Sequence, residues 1–459
     1  MTDKTLKALW RQFLPLSLSD VTMACSDPLV TGTLTHLPDA RVNIGALGIA
    51  KAITVLFESP IIMILHTSNT LAHSRQSRKA LLRFTILAGL LLTALLTLLI
   101  IPSVFDIVSQ YVFHIDTELT GRSRLIISIM LLWPASIACR RYVQGLLIRS
   151  GHSKAVAHAG IGRLVAVGLV LWIGFWLSKH QTLFGFNWPR ILGIQSLDSF
   201  GSALGGLAMI SGIFVETLLI IRYASLYFRQ KPLSQHDEKG LPVNLREVWN
   251  FYWPLANSML VIWGGRVVLL AVIARSIDAD LALAAWPAAW GLVLVIANAT
   301  RMVQQIVIRN HSFVPKKLLL HFSFSVGLSC SLLLLSLSVT NVGAEIVAAF
   351  IGSDAQLLAA VSPVLLLFSP YPLAVALQNG IQGFLIVQGQ TKRISVATFI
   401  GTSVLIFFSS IAVQSGLPGA RAAAIAMSFS LLAELLFLTL GLTQILPWKK
   451  RSAPLGDVY

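Results

Sequence analysis

The sequence predicts an all-α integral membrane protein of twelve transmembrane helices in two parallel-related six-helix bundles. Three observations carry the prediction. The chain is poor in charge, its apolar stretches have the length of a membrane helix, and its second half repeats the first. Charged residues make up 12% of the 459 and hydrophobic ones 55%, with a mean hydropathy of +0.76. A water-soluble chain keeps roughly a quarter of its residues charged. This chain has too little polar surface to cover itself in water and needs a bilayer, where only helices or closed barrels satisfy the backbone. Its apolar stretches run about 20 to 28 residues, whereas a barrel strand needs only about ten alternating ones.

Hydropathy places spans at 12–34, 44–68, 80–103, 124–147, 155–177 and 200–222, then at 247–273, 281–307, 317–339, 357–386, 394–414 and 420–446. The longest polar interval, 223–246, contains RQKPLSQHDEKGLP and reads as a linker. The expected organisation is a bundle over 1–222, a cytoplasmic linker over 223–246 and a second bundle over 247–459. Lys4, Lys7 and Arg11 precede the first span, but no small-residue cleavage pattern follows, so it is expected to be an uncleaved helix. Cys25, Cys139 and Cys330 fall inside apolar segments without metal-ligand spacing, so no metal site is expected.

The net charge of +16 sorts by side of the membrane. With the N-terminus inside, inner segments hold 22 basic residues, among them Arg75, Arg78, Lys79, Arg83, Lys316, Lys317, Lys392 and Arg393. Outer segments hold 7: Arg41, Arg122, Arg124, Lys179, Arg190, Arg275 and Arg421. This asymmetry predicts a multi-pass inner (plasma) membrane protein with both termini cytoplasmic. It also accounts for the positive charge as topology, so a nucleic-acid partner is not expected.

The halves align with each other. Pro15 and Pro254 stand 239 residues apart. QGLLIRSGHSK from Gln144 to Lys154 matches QGFLIVQGQTK from Gln382 to Lys392 at an offset of 238, and Pro134 and Pro370 precede these at similar distances. Gly201, Ala208, Met209 and Glu216 match Gly419, Ala426, Met427 and Glu434 at 218. The drop implies about twenty extra residues in the first half, around 179–198. Both halves begin on the same side, so the repeat is parallel, with its axis along the membrane normal and a substrate site near the midplane.

These motifs resemble the MATE-like branch of the multidrug/oligosaccharidyl-lipid/polysaccharide (MOP) exporters. The stretch WPLANSMLVIWGGRVVLLAVIAR, from Trp253 to Arg275, resembles the seventh helix of the progressive ankylosis (ANK) proteins, including both arginines, Arg266 and Arg275. WPASIACRRYVQGLLI in the fourth span is similar in its aromatic-Pro start. The resemblance implies a bacterial relative that exports a polyanion such as citrate, pyrophosphate or a nucleotide. It also implies a cavity lined by the first, second, seventh and eighth spans. The acidic tail of animal members has no counterpart, so their regulation is not expected.

Ionisable residues inside a span cost at least roughly 2.5–3.5 kcal/mol each, so each needs a partner or a water-filled cavity. The basic ones are Lys51, Arg140, Arg141, Arg163, Arg266 and Arg301; the acids are Asp20, Asp27, Glu58, Glu216 and Glu434. Asp27 and Arg266 each lie twelve residues past the first proline of their half and are expected to face each other as a gate. Lys51, seven residues before Glu58, shares its helix face. Lys51, Arg266 and Arg301 are expected to converge on an anion, helped by Arg140, Asn298 and Gln378, with Asp27, Asp20 and Glu58 gating or coupling ions. Arg140 and Arg141 are neighbours about 100° apart, so at most one faces the cavity fully. Glu216 and Glu434 are expected to be structural, with Arg163 and a polar partner. Pro370 and Pro372 should bend the tenth span.

No phosphate-binding Gly-Lys-Ser/Thr loop, H-E-x-x-H or G-x-S-x-G motif occurs, and no cofactor is expected. The reading is a non-enzymatic, secondary or facilitated transporter rather than a receptor or scaffold, acting as a monomer on a small anionic solute in contact with membrane lipid. Two alternatives stand beside it: a MATE-type multidrug or cation antiporter driven by protons or sodium, and a flippase for lipid-linked precursors.

Overall fold

The computed structural model describes residues 5–443 except 73, 151, 180–181, 184–185, 188–198, 231–243, 312, 353 and 389. It is built almost wholly of helices. The first half runs α1 Leu6–Ala24, α2 Ser26–Leu34, α3 Ala40–Glu58, α4 Ile64–Leu71, α5 Arg75–Leu99, α6 Pro102–Val108, α7 Thr117–Ile129, α8 Trp133–Arg149, α9 Ser153–Lys179 and α10 Phe200–Gln230. The second runs α11 Leu245–Ile273, α12 Ala279–Ala299, α13 Met302–Asn310, α14 Lys316–Val339, α15 Asn341–Ile351, α16 Ala355–Leu367, α17 Tyr371–Val387, α18 Thr391–Gln414 and α19 Gly419–Thr443. Two-residue strands at Thr182–Leu183 and Phe186–Asn187 pair between α9 and α10. Most of the predicted linker lies outside the described residues.

Among the described residues nine helices are long and apolar enough to cross a membrane. The α16–α17 pair, bent by 41°, makes a tenth. The expected count of twelve is higher by the predicted spans 12–34 and 247–273. The first is two helices of 19 and 9 residues meeting at Cys25 and carrying Lys7, Arg11, Asp20 and Asp27. In α11 the apolar part is Met259–Ile273.

The repeat is visible in the helix starts: α7 and α16, α8 and α17, and α9 and α18 each begin 238 residues apart. It extends to the breaks. The predicted span 44–68 is interrupted after Glu58, where Pro60 cannot donate to the ladder and a 3-10 turn, Ile61–Met63, follows. The eighth span breaks at Thr300 and Arg301 without a proline. The Ser59 hydroxyl bonds the Leu56 carbonyl at 2.7 Å and the Thr300 hydroxyl bonds the Ala297 carbonyl at 2.6 Å, so local side-chain bonds replace the ladder at both breaks.

The halves meet along α3 and α12, with α1 and α2 also on α12 and α3 also on α11. Gly48 lets α12 approach, since a Cβ there would lie 3.1 Å from Pro287 Cγ. At the end where α1 begins, two aromatic clamps join the halves. Trp10 and Phe13 of α1 pack edge-on against Phe322 of α14, at 6.0 and 5.6 Å between centroids. Trp249 and Tyr252 of α11 pack against Phe84 of α5, at 6.3 and 4.9 Å. At the opposite end Arg41 of α3 donates to both carboxylate oxygens of Asp354, at 2.6 and 2.8 Å. There α15 packs on α2 so closely that a Cβ at Gly32 would lie 2.7 Å from the Phe350 carbonyl oxygen.

Candidate functional site

The break at Cys25 starts a new helix inside the first span and sets Asp27 in its first turn. The free N–H groups and dipole of a helix start favour a carboxylate there. Asp27 forms an ion pair with Lys51 of α3, both partly exposed. The expected gate between Asp27 and Arg266 is therefore not formed: the cation beside Asp27 comes from its own half. Glu58, on the same face as Lys51, is buried and accepts a 2.7 Å bond from the Trp133 indole.

Deeper in the first half, Glu216 is fully buried and paired with Arg140, with Arg163 at 3.5 Å. Arg140 is 2% exposed, so it is withdrawn from any solute in this conformation. Arg141 donates to Gln144 at 3.2 Å. The side chain of Asp20 lies outside the described residues.

In the second half, Arg266 lies over the rings of Trp290 and Trp263, at 4.9 and 5.2 Å from their centroids. Ring quadrupoles attract a guanidinium at this range. The Tyr371 hydroxyl lies close beside Arg266. Trp290 stacks on Trp286 at 5.7 Å and meets Phe368 at a tilt and Tyr371 edge to face, which fixes the wall that Arg266 rests on. Arg301, at the break between α12 and α13, is exposed and within electrostatic range of Arg266. Neither arginine has an ion-pair partner among the described residues. Asn298 sits half-buried on the last turn of α12, one turn before Arg301. The break is held from α17 by Asn379, whose amide donates to the Thr300 carbonyl at 3.4 Å. Gln378 donates to Glu434 of α19.

The structure thus sets Arg266 and Arg301 within electrostatic range of each other and leaves Lys51 with Asp27. Sequence reasoning missed the aromatic bed of Arg266: Trp263, Trp290 and Tyr371. The signal was present, because Trp290 stands 239 residues after Lys51, the offset of the repeat.

The helical fold that carries these residues has counterparts among solved structures. Lipid II flippase MurJ, in an inward closed conformation, matches with a TM-score of 0.68 at 13% identity, over 94% of this chain and 87% of that one. An outward-facing multidrug resistance MATE family transporter of the MOP superfamily matches at 0.64 and 13%, over 97% and 96%. A MOP superfamily transporter from Pyrococcus furiosus, described as having a binding pocket of reverse polarity, matches at 0.62 and 13%, over 97% and 98%. The chain shares its fold with these proteins. At this identity the likeness concerns architecture and leaves residue roles to the geometry. No family model matches the sequence. The nine helices among the described residues that are long and apolar enough to cross a membrane mark a multi-pass membrane protein; similarity to ANK proteins in particular rests on the motifs of the seventh and fourth spans.

Proposed function

We propose that the chain is a secondary or facilitated transporter that exports a small organic or inorganic polyanion, of the citrate, pyrophosphate or nucleotide kind, by alternating access. One observation carries the reading. Arg266 and Arg301 lie within electrostatic range of each other and neither forms an ion pair among the described residues, with the Glu434 carboxylate also in electrostatic range of Arg266, while Lys51, Arg140 and Arg163 each form one. Two cations without an ion pair at membrane depth are costly unless water or an anion joins them, and a di- or trianion satisfies both. The aromatic bed holds Arg266 in place without neutralising it. In this reading the halves 1–222 and 247–459, joined by the 223–246 linker, rock about the α3–α12 contact. The aromatic clamps part on the cytoplasmic side and the Arg41–Asp354 tie parts on the outer side, in alternation. Lys51, Asp27, Glu58 and Asn298 line the path.

Purified protein in liposomes is expected to release labelled citrate or pyrophosphate. Arg266→Gln and Arg301→Gln should each lower the rate at least tenfold, about 1.4 kcal/mol of lost stabilisation, without loss of fold. Anion flux absent from the wild type, with organic-cation flux intact, would reverse the assignment in favour of the cation antiporter. The match to the Lipid II flippase supports a second reading, in which the same arginines hold the charged head of a lipid-linked precursor. Build-up of a lipid-linked intermediate in a deletion strain, with no flux of free anions, selects it.

A further inference from the structure

Glu216 on α10 and Glu434 on α19 occupy the same repeat position, 218 residues apart. Their surroundings do not match. Arg140 and Arg163 flank Glu216. The residues 238 positions on are Gln378 and Gly401, and these flank Glu434. Gly401 packs so closely that a Cβ there would lie 2.1 Å from Glu434 Oε1. One fold therefore sets one carboxylate between two guanidinium groups and its twin against an amide and bare backbone.

The difference has a chemical consequence. A guanidinium only donates, so it serves a carboxylate ion and nothing else. An amide both donates and accepts, so Gln378 can bond Glu434 with or without its proton. The other helices packed on α19 supply no ion-pair partner among the described residues. On α16 there is no ionisable side chain. Lys392 and Arg393 lie in the first turn of α18, Asp280 in the first turn of α12 and Arg421 in the first turn of α19 itself. Arg246 and Glu247 are at the start of α11, and Tyr252 is in the aromatic clamp. Within electrostatic reach stand Arg266 from α11 and, through it, Tyr371 of α17.

We propose that Glu434, held by Gln378 and Gly401, is a proton-binding site that couples proton movement to the anion bound at Arg266. This rests on the transport reading given above. A charged Glu434 offsets part of the Arg266 charge, and a protonated Glu434 leaves it whole. Proton and anion therefore favour each other's binding, and the favour is reciprocal. The two cross together. A di- or trianion carrying one proton is still negative, so an inside-negative potential still drives it outward. Glu216, with two fixed guanidinium groups, has no such part.

The test uses full-length protein and two independent readouts. In detergent or lipid, an infrared difference spectrum should show a carboxylic-acid C=O band that titrates with pH in the wild type. That band should vanish in Glu434→Gln and in Gln378→Arg, which restores the first-half pairing, and persist in Glu216→Gln. A wild type without the band, or a band unchanged in Glu434→Gln, overturns the proposal. In liposomes, release of labelled citrate or pyrophosphate should speed up at least threefold when the loaded side is made acidic and should carry protons detected by a trapped dye. Glu434→Gln should keep the flux and lose both effects; a variant that still carries protons overturns the coupling. If the wild type moves neither anion, the transport reading fails on its own, and the infrared titration still decides whether Glu434 binds the proton.

Discussion

The two halves share a backbone plan but solve the burial of charge in opposite ways. In the first, Asp27 pairs with Lys51. At the corresponding positions, 239 residues on, the second has Arg266 lying 4.9 Å from the Trp290 ring. An ion pair has become a cation resting on an aromatic face. Glu216 and its two arginines become Glu434 with Gln378 and Gly401. In the first half each carboxylate at these points has an ion-pair partner; in the second, neither Arg266 nor Glu434 forms an ion pair among the described residues. Yet the clamps are conserved in plan between halves: Trp10, Phe13 and Phe322 correspond to Trp249, Tyr252 and Phe84 at offsets of 239, 239 and 238. The aromatic joints between the halves are kept while the charged positions differ.

The largest contrast is expected at the buried carboxylates. Arg140→Met leaves Glu216 with a single, more distant guanidinium and should cost roughly 3–5 kcal/mol. Its counterpart Gln378→Met removes one hydrogen bond from a carboxyl that can take up a proton, and should cost only about 1 kcal/mol. Thermal unfolding in detergent measures both, and equal losses would break the comparison. Next comes Gly401→Ala. The added methyl collides with the Glu434 carboxylate, and such overpacking costs about 1–3 kcal/mol. Gly121→Ala, where a Cβ meets nothing within 4 Å, serves as the neutral control.

The smallest effect is expected at the outer tie. The hydrogen bonds from Arg41 hold the Asp354 carboxyl at about 2, below its ordinary 3.8, with help from the Leu357 and Gln356 backbone N–H groups. The bound state thus favours the ionised form. The stabilisation is present in full above about pH 4 and is lost as pH falls through about 2. Both side chains are partly exposed, so the tie is worth no more than about 1 kcal/mol. Asp354→Asn should lower the unfolding temperature slightly at neutral pH, and the gap should close as pH approaches 2. A gap that persists in acid would show that the contact acts through something other than charge.

Much of this was legible in the chain. Low charge and helix-length apolar runs fixed the class, since a backbone in lipid has few ways to satisfy its polar groups. The offset of 238 to 239 located equivalent helices, breaks and residues, because duplicated segments keep their spacing. The pairing of Glu216 with Arg163 and of Glu434 with a polar partner could also be anticipated from the repeat. What the sequence could not decide was which charges meet. Asp27 had Arg266 as its repeat twin and Lys51 as its neighbour in the fold, and both choices fit the spacing. Ion pairs form over a few ångströms, and that distance depends on how helices tilt, break and rotate. Only the packing of α2 on α3, the break at Thr300 and the bare surface of Gly401 decide which guanidinium forms an ion pair and which does not.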